Sequence, residues 1–353
     1  MNLARQPKHT EMKKRDFHID LIKATAVILV LLCHSSDKIF HLSSIDLHNA
    51  SIFSFFFTLG RLGVPLFLFS TGALLLNRDY SNADTVISFY KRKLPPLLRI
   101  TWVWTTVFII HAIRIGVGFS LYELIRVYLL IEPCPVSVLW YLPMIIGLYL
   151  FIPLIGPALK VADSRVIKLC LSVTIFYQFI LNIIPDINSN DLAINLWFSG
   201  GMFGTYLILG YEIYHRELLQ SIKTSKLILV SVICICLLSS FNALSLINSS
   251  EYSVWYSDPL LLTASCMIFE LALRVKRIKA IKAVTFLSNN SLGIYVSHMV
   301  FLNLSEVFLL WNQVPNYEVQ VLIWIAITLA GSSMLIIGLN RLSPKLSRFI
   351  FNI

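Results

Sequence analysis

The stretch Ile19-Asp20-Leu21-Ile22-Lys23-Ala24-Thr25-Ala26-Val27-Ile28-Leu29-Val30-Leu31-Leu32-Cys33-His34-Ser35-Ser36-Asp37 decides the reading of this chain. A bilayer core is crossed by one helix of roughly 20 mostly apolar residues. This run has that length, yet it carries Asp20, Lys23 and His34. It follows Lys13, Lys14 and Arg15, as a secretory leader would, but many more apolar runs come after it, so it reads as a retained first membrane helix. Working outward, comparable runs recur at about 52–76, 97–115, 138–157, 166–184, 197–214, 226–247, 256–273, 285–307 and 319–340. The expected fold is all-α, a polytopic membrane protein with about ten transmembrane helices. The segment 120–131 is amphipathic and too short to span. It is expected to rest at the outer surface as a short helix before Pro133 and Pro135.

Composition agrees. Of 353 residues, 57% are hydrophobic and 14% are charged, which leaves too little polar surface to cover a soluble domain of this size. The net charge of +10 does not point to nucleic acid, because topology accounts for it. With ten spans and both termini cytoplasmic, all of the 29 Lys and Arg fall on inner segments except Lys38, Arg61, Arg114 and Arg126. The outer loops Pro185–Asn195, Asn248–Asp258 and Asn312–Glu318 are polar and free of positive charge. The expected organisation is a cytoplasmic tail at 1–15, one membrane domain at 16–341 and a cytoplasmic tail at 342–353. Of the six cysteines, five lie in apolar runs and Cys134 stands in a loop, with no disulfide framework and no zinc spacing. Cys234 and Cys236 point to different faces of one helix.

Ionisable groups within apolar segments are costly and are therefore functional candidates. Lys23 and His34 are eleven residues apart, about three helical turns, so they share a face roughly 16 Å apart. Asp20 lies one turn below Lys23. Read structurally, Asp20 and Lys23 pair at the interface while Lys23 snorkels, and His34 is a hydrogen-bonded core histidine. Read functionally, His34 is a general base. Arg61, in Arg61-Leu62-Gly63-Val64-Pro65, sits mid-helix and needs a cavity, a carboxylate or an anionic ligand. Phe89-Tyr90-Lys91-Arg92-Lys93, ahead of Pro95 and Pro96, reads as a basic cytoplasmic loop that sets topology or receives a phosphorylated ligand. Trp140 and Tyr141 open the fourth helix as belt aromatics or as site residues. Tyr295 and His298 share one side of the ninth, where His298 alone reads as structural. No P-loop, dinucleotide fingerprint, His-Glu-x-x-His or Gly-x-Ser-x-Gly motif occurs.

Taken together these stretches resemble the integral membrane acyltransferase-3 family. Its opening motif is a basic residue, ten residues and a histidine, as in Lys23 to His34. Arg61-Leu-Gly-Val-Pro-Leu-Phe-Leu-Phe-Ser-Thr-Gly72 resembles its second-helix signature, and Phe89-Tyr-Lys-Arg-Lys-Leu its basic loop. Leu139-Trp-Tyr-Leu-Pro, Leu209-Gly-Tyr211 and Leu292-Gly-Ile-Tyr-Val-Ser-His298 match later landmarks in order, over about residues 16–340. Two positions depart from the pattern. Val138 and Leu139 precede Trp140 where the family often has histidine, and Pro95 follows Arg92 where it has a second arginine.

The resemblance implies an acetyl-CoA-dependent O-acyltransferase of the bacterial inner membrane. Its acceptor would be a hydroxyl of a lipid-linked or surface polysaccharide such as O-antigen or enterobacterial common antigen. His34 would act as general base or transient acyl acceptor, with Lys23 and Arg61 as its catalytic companions. Arg92 and Lys93 would meet the donor phosphates, and Asp20, Trp140, Tyr141, Tyr295 and His298 would contact substrate. Neither a metal nor nucleic acid is expected, and the remaining partners are membrane lipids. The alternative is a transporter or flippase of lipid-linked glycan without acyl transfer, which also carries buried charges and a central cavity.

Overall fold

A computed structural model describes residues 15–40, 46–134, 138–180, 201–250, 252–276, 279–308 and 316–351. Among these every regular element is a helix: α1 Phe17–Phe40, α2 Leu47–Arg61, α3 Gly63–Leu75, α4 Ala83–Arg114, α5 Leu121–Tyr128, α6 Tyr141–Val161, α7 Ser164–Ile175, α8 Gly201–His215, α9 Thr224–Ile247, α10 Pro259–Leu273, α11 Ile281–Phe308, α12 Tyr317–Leu342 and α13 Pro344–Phe351. A π-helical turn, Phe176–Ile180, extends α7.

Among the described residues six stretches are long and apolar enough to cross a membrane: α1, the α2–α3 pair over Leu47–Leu75, α4, α6, α9 and α12. Their outer faces expose Ile228, Leu229, Val232 and Phe241 on α9 and Leu322, Ile323, Ile327 and Met334 on α12. Apolar side chains in such rows face lipid. The α10 helix is apolar but shorter. The α11 helix is long but interrupted by Ser288-Asn289-Asn290-Ser291 and Ser297-His298, of which all but Asn289 are buried. The predicted spans 166–184 and 197–214 run into residues 181–200, outside the described ones.

The first helix is the hub, packing against α2, α3, α10, α11 and α12, while α3 packs on α8 and α9 on α2 and α10. Close approach fixes these contacts. A Cβ on Gly60 would stand 2.5 Å from the Cys33 backbone, so α1 and α2 touch main chain to main chain there. A Cβ on Gly210 would stand 2.4 Å from the Phe69 Cα, which draws α8 onto α3 in the same way.

One sequence expectation is corrected. Phe89–Lys93 is not a loop. It lies inside α4, a 32-residue helix capped by Asn82, whose side chain accepts from the Thr85 N–H. At about 48 Å this helix is longer than a bilayer core. Pro95 and Pro96 free carbonyls of the turn before them, and exposed Lys91 and Arg92 lie where water can satisfy those groups. The short helix before Pro133 forms as α5, with a Ser120–Glu123 capping box. Its last residue reaches back along α4: the Tyr128 carbonyl accepts from Trp102 Nε1 at 3.0 Å, and the Tyr128 hydroxyl bonds Thr106 at 2.7 Å. Trp102 is twelve residues before the end of α4, so α5 packs along the side of that helix. The segment expected as a C-terminal tail contains α13, which buries Ser347 and Phe351. Arg99 donates to the Arg348 and Phe349 carbonyls and Trp104 to that of Ile350, so α4 satisfies the last carbonyls of α13.

Candidate active site

Two polar groupings lie along α1. The one around Lys23 lines an open cavity; the other, around His34, is walled by aromatic rings.

The His34 site begins at the Gly60–Cys33 crossing, which brings Arg61 within electrostatic reach of His34. The helix breaks at Leu62 because Pro65 removes the N–H that would meet the Arg61 carbonyl. The Arg61 guanidinium then lies over three aromatic rings, 4.4 Å from the Phe57 centroid, 4.8 Å from Trp255 and 5.3 Å from Tyr256. Its Nη1 donates to the Tyr256 hydroxyl at 3.4 Å, while its buried Nε has no hydrogen-bond partner. Among the described residues Arg61 makes no ion pair; Asp37 lies within electrostatic reach. Trp255 and Tyr256 come from the loop before α10. The Tyr206 hydroxyl on α8 donates to the Tyr256 carbonyl at 2.9 Å, and the Val254 N–H donates to Asn242 on α9 at 3.4 Å.

Across α1, α11 contributes the second histidine. The His34 and His298 rings are 5.2 Å apart, centroid to centroid, and inclined by 34°. His298 is fully buried. Its Nδ1 meets the Tyr295 carbonyl, which can only accept, so that nitrogen carries the proton and Nε2 holds the lone pair. Nε2 has no hydrogen-bond partner. The Tyr295 hydroxyl is already committed, donating to the Val138 carbonyl just before α6. Trp140 and Tyr141 join the two halves. Tyr141 meets the edge of Tyr295 at 5.5 Å, and Trp140 lies 5.5 Å from Tyr256 and 6.3 Å from Trp255. Six residues singled out in the sequence, His34, Arg61, Trp140, Tyr141, Tyr295 and His298, thus converge from four separate stretches of chain. Sequence reasoning missed Trp255 and Tyr256. Their signal was an aromatic pair in a polar outer loop, indistinguishable there from ordinary interface aromatics.

The open grouping surrounds a cavity of about 550 Å³ lined by Arg15, Asp16, Asp20, Lys23, Arg78, Tyr214, His215 and Ser288 among others. Asp20 does not take Lys23 as its direct partner. Its carboxylate accepts from the Arg15 guanidinium and, at 2.7 Å, from the Ser288 hydroxyl of α11. Asp16 accepts from the Tyr214 hydroxyl. Burial works to raise the Asp16 carboxyl, but hydrogen bonds from Tyr214 and from the His18 and Ile19 N–H groups hold it below the ordinary carboxylate range. Lys23 is half-buried, and Lys93 lies within electrostatic reach of both Lys23 and Arg78. Arg92 lines a neighbouring cavity of about 350 Å³ that shares Arg78 with the first. Its Nε donates to the Ser88 carbonyl at 3.1 Å, leaving the terminal nitrogens for another partner. This end therefore collects cations around a water-accessible space, a setting for phosphate groups. Among the described residues no group of three or more His, Cys, Asp or Glu could hold a metal ion.

Searches of curated proteins and of solved structures found no match to this chain. Comparison with family models aligns residues 16–339 with an acyltransferase domain, which takes in both groupings along α1, and the chain belongs to the acyltransferase-3 family.

Proposed function

We propose that the chain is a multi-pass inner-membrane O-acyltransferase with ten spans and both termini cytoplasmic. It moves an acetyl group from cytoplasmic acetyl-CoA to a hydroxyl of a bacterial surface glycan of the O-antigen type, presented on its lipid carrier. The observation that carries this reading is the placement of His34 within electrostatic reach of Arg61, where α1 and α2 touch at Gly60. A general base and an oxyanion-stabilising cation close to one another are the two groups acyl transfer requires.

Donor phosphates are held by Lys23, Arg78, Arg92 and Lys93 around the open cavity. Its thioester end reaches toward His34. His34 takes the proton from the acceptor hydroxyl as that oxygen attacks the thioester carbonyl. Negative charge develops on the carbonyl oxygen and faces Arg61. The C–S bond breaks, the thiolate of CoA leaves, and His34 returns the proton to it. The products are the O-acetyl ester and free CoA. Trp140, Trp255 and Tyr256 offer flat faces on which a sugar ring stacks. Tyr141, at the start of α6, closes the wall between them and the histidines.

The test expresses the chain and His34→Ala in a polysaccharide-making host that lacks its own transferase, followed by NMR of the isolated surface glycan. An O-acetyl methyl signal with the parent and none with His34→Ala supports the reading and identifies the acceptor. Equal signals from both chains remove His34 from the mechanism. No signal from the parent, with no CoA released by purified protein from acetyl-CoA and a panel of glycans, overturns the activity.

A further inference from the structure

The unpartnered nitrogen of His298 is an unusual feature of the His34 site. The ring is fully buried, its Nδ1–H is spent on the Tyr295 carbonyl, and its Nε2 lone pair meets nothing. A buried polar atom without a hydrogen bond is destabilising, and an apolar side chain of similar size would remove the penalty. The nearest aromatic neighbours of the ring are Tyr295, at 5.9 Å, and His34, at 5.2 Å. Two imidazoles joined by an N–H···N bond have centroids roughly 5 Å apart, the bond length plus two ring radii. The separation is therefore already that of a hydrogen-bonded pair, although no such bond is formed while the rings are inclined by 34°. The His34 χ2 is a broad torsion about which the ring can turn.

Resting on the acyl-transfer reading above, the geometry points to His298 as the positioning residue of His34: its Nε2 receives a hydrogen bond from one His34 N–H, which leaves the other His34 nitrogen free to take the acceptor's proton. Neutral His34 has one N–H. When it takes that proton it becomes an imidazolium with two. One N–H holds the proton destined for the CoA thiolate. The other, within electrostatic reach of the Arg61 cation, needs an acceptor that is always present. His298 supplies one, because the Tyr295 carbonyl fixes its proton on Nδ1. No proton crosses to His298 and no bond to carbon forms there. The arrangement also selects which His34 nitrogen serves as base, as the third member of a hydrolase triad does for its histidine, but with a neutral group in place of a carboxylate.

The test measures CoA release by the purified full-length chain, with acetyl-CoA and the surface polysaccharide of the expression host. In His298→Leu the volume is kept and the lone pair lost; kcat falls about 100-fold, while KM for acetyl-CoA and for glycan stays within about twofold. In His298→Gln the amide oxygen stands near the former Nε2, and kcat recovers at least about tenfold over the Leu variant. Thermal unfolding of each variant reports folding. Should His298→Leu fail to fold, His298→Met against His298→Gln gives the same contrast. A folded His298→Leu or His298→Met with kcat near the parent's overturns the inference, and so does a Gln variant no better than the variant without an acceptor. A parent chain that releases no CoA overturns the acyl-transfer reading and this inference with it, whereas an active parent with an unaffected His298→Leu overturns this inference alone.

Discussion

The two ends of α1 are built on opposite terms. Around Lys23 the charges are numerous, the space is open, and each carboxylate is matched: Asp20 with Arg15 and Ser288, Asp16 with Tyr214. Around His34 the walls are aromatic and polar atoms go short, with Arg61 Nε and His298 Nε2 both buried and lacking hydrogen bonds. A solvated surface tolerates charges cheaply and holds a charged ligand by their sum. A buried one makes each polar atom costly until something pairs with it, so incomplete pairing there marks where reacting groups arrive. One end is suited to binding and the other to chemistry.

This contrast is broken most severely at the His34 end. Arg61→Lys keeps the charge but loses the planar group that lies over Phe57, Trp255 and Tyr256. The expected result is a fall in kcat of about 100-fold with KM for acetyl-CoA unchanged, measured by steady-state CoA release. A change in donor KM instead would mean that Arg61 serves binding. At the open end, Arg78→Ala removes the one cation shared by the two cavities. It is expected to raise KM for acetyl-CoA about tenfold at constant kcat, and the effect should shrink as salt is added. A loss confined to kcat would erase the division between the two ends. The smallest effect concerns stability. Asp16 has a folded-state pKa below its unfolded value, so its contribution is present above about pH 4 and is lost as pH falls through the folded value. Tyr214→Phe removes one of the bonds that depress it. Thermal unfolding of that variant should be about 1–3 °C below the parent at pH 7, the gap closing toward pH 3. A gap that persists at pH 3 would show that the hydroxyl acts by packing alone.

What the sequence disclosed follows from the range of the forces involved. Helical periodicity is local, so the common face of Lys23 and His34 and the polar interruption at Arg61 were legible at once. Long apolar runs declared the membrane helices, yet the turn chemistry at their ends misled. Pro95 and Pro96 looked like a boundary because proline forfeits a hydrogen bond, but the freed carbonyls lie beside exposed Lys91 and Arg92, and α4 runs on. The 120–131 segment was recognisable as a short helix from its alternation of faces, but not its packing along α4, which rests on Trp102 and Thr106 of another helix. The meeting of His34 with His298 was beyond reach for the same reason. It depends on α11 packing against α1 across more than 260 residues of chain, and no pattern within either helix encodes it. Asp20 looked committed to Lys23 through adjacency, whereas Arg15 and Ser288 offer its oxygens better geometry.

The unbroken course of α1 has one more consequence. It runs from Phe17 to Phe40 without a proline, and its main chain is pressed against α2 at Cys33. Lys23 and His34 are thus held about 16 Å apart and cannot be drawn together. The helix is a gauge. A donor is usable only if its own arm covers that span, with the anionic head anchored at one mark and the activated carbonyl at the other. A thioester on a long flexible tether fits the gauge. Acetyl phosphate, equally reactive but with its charge next to its carbonyl, falls short of it.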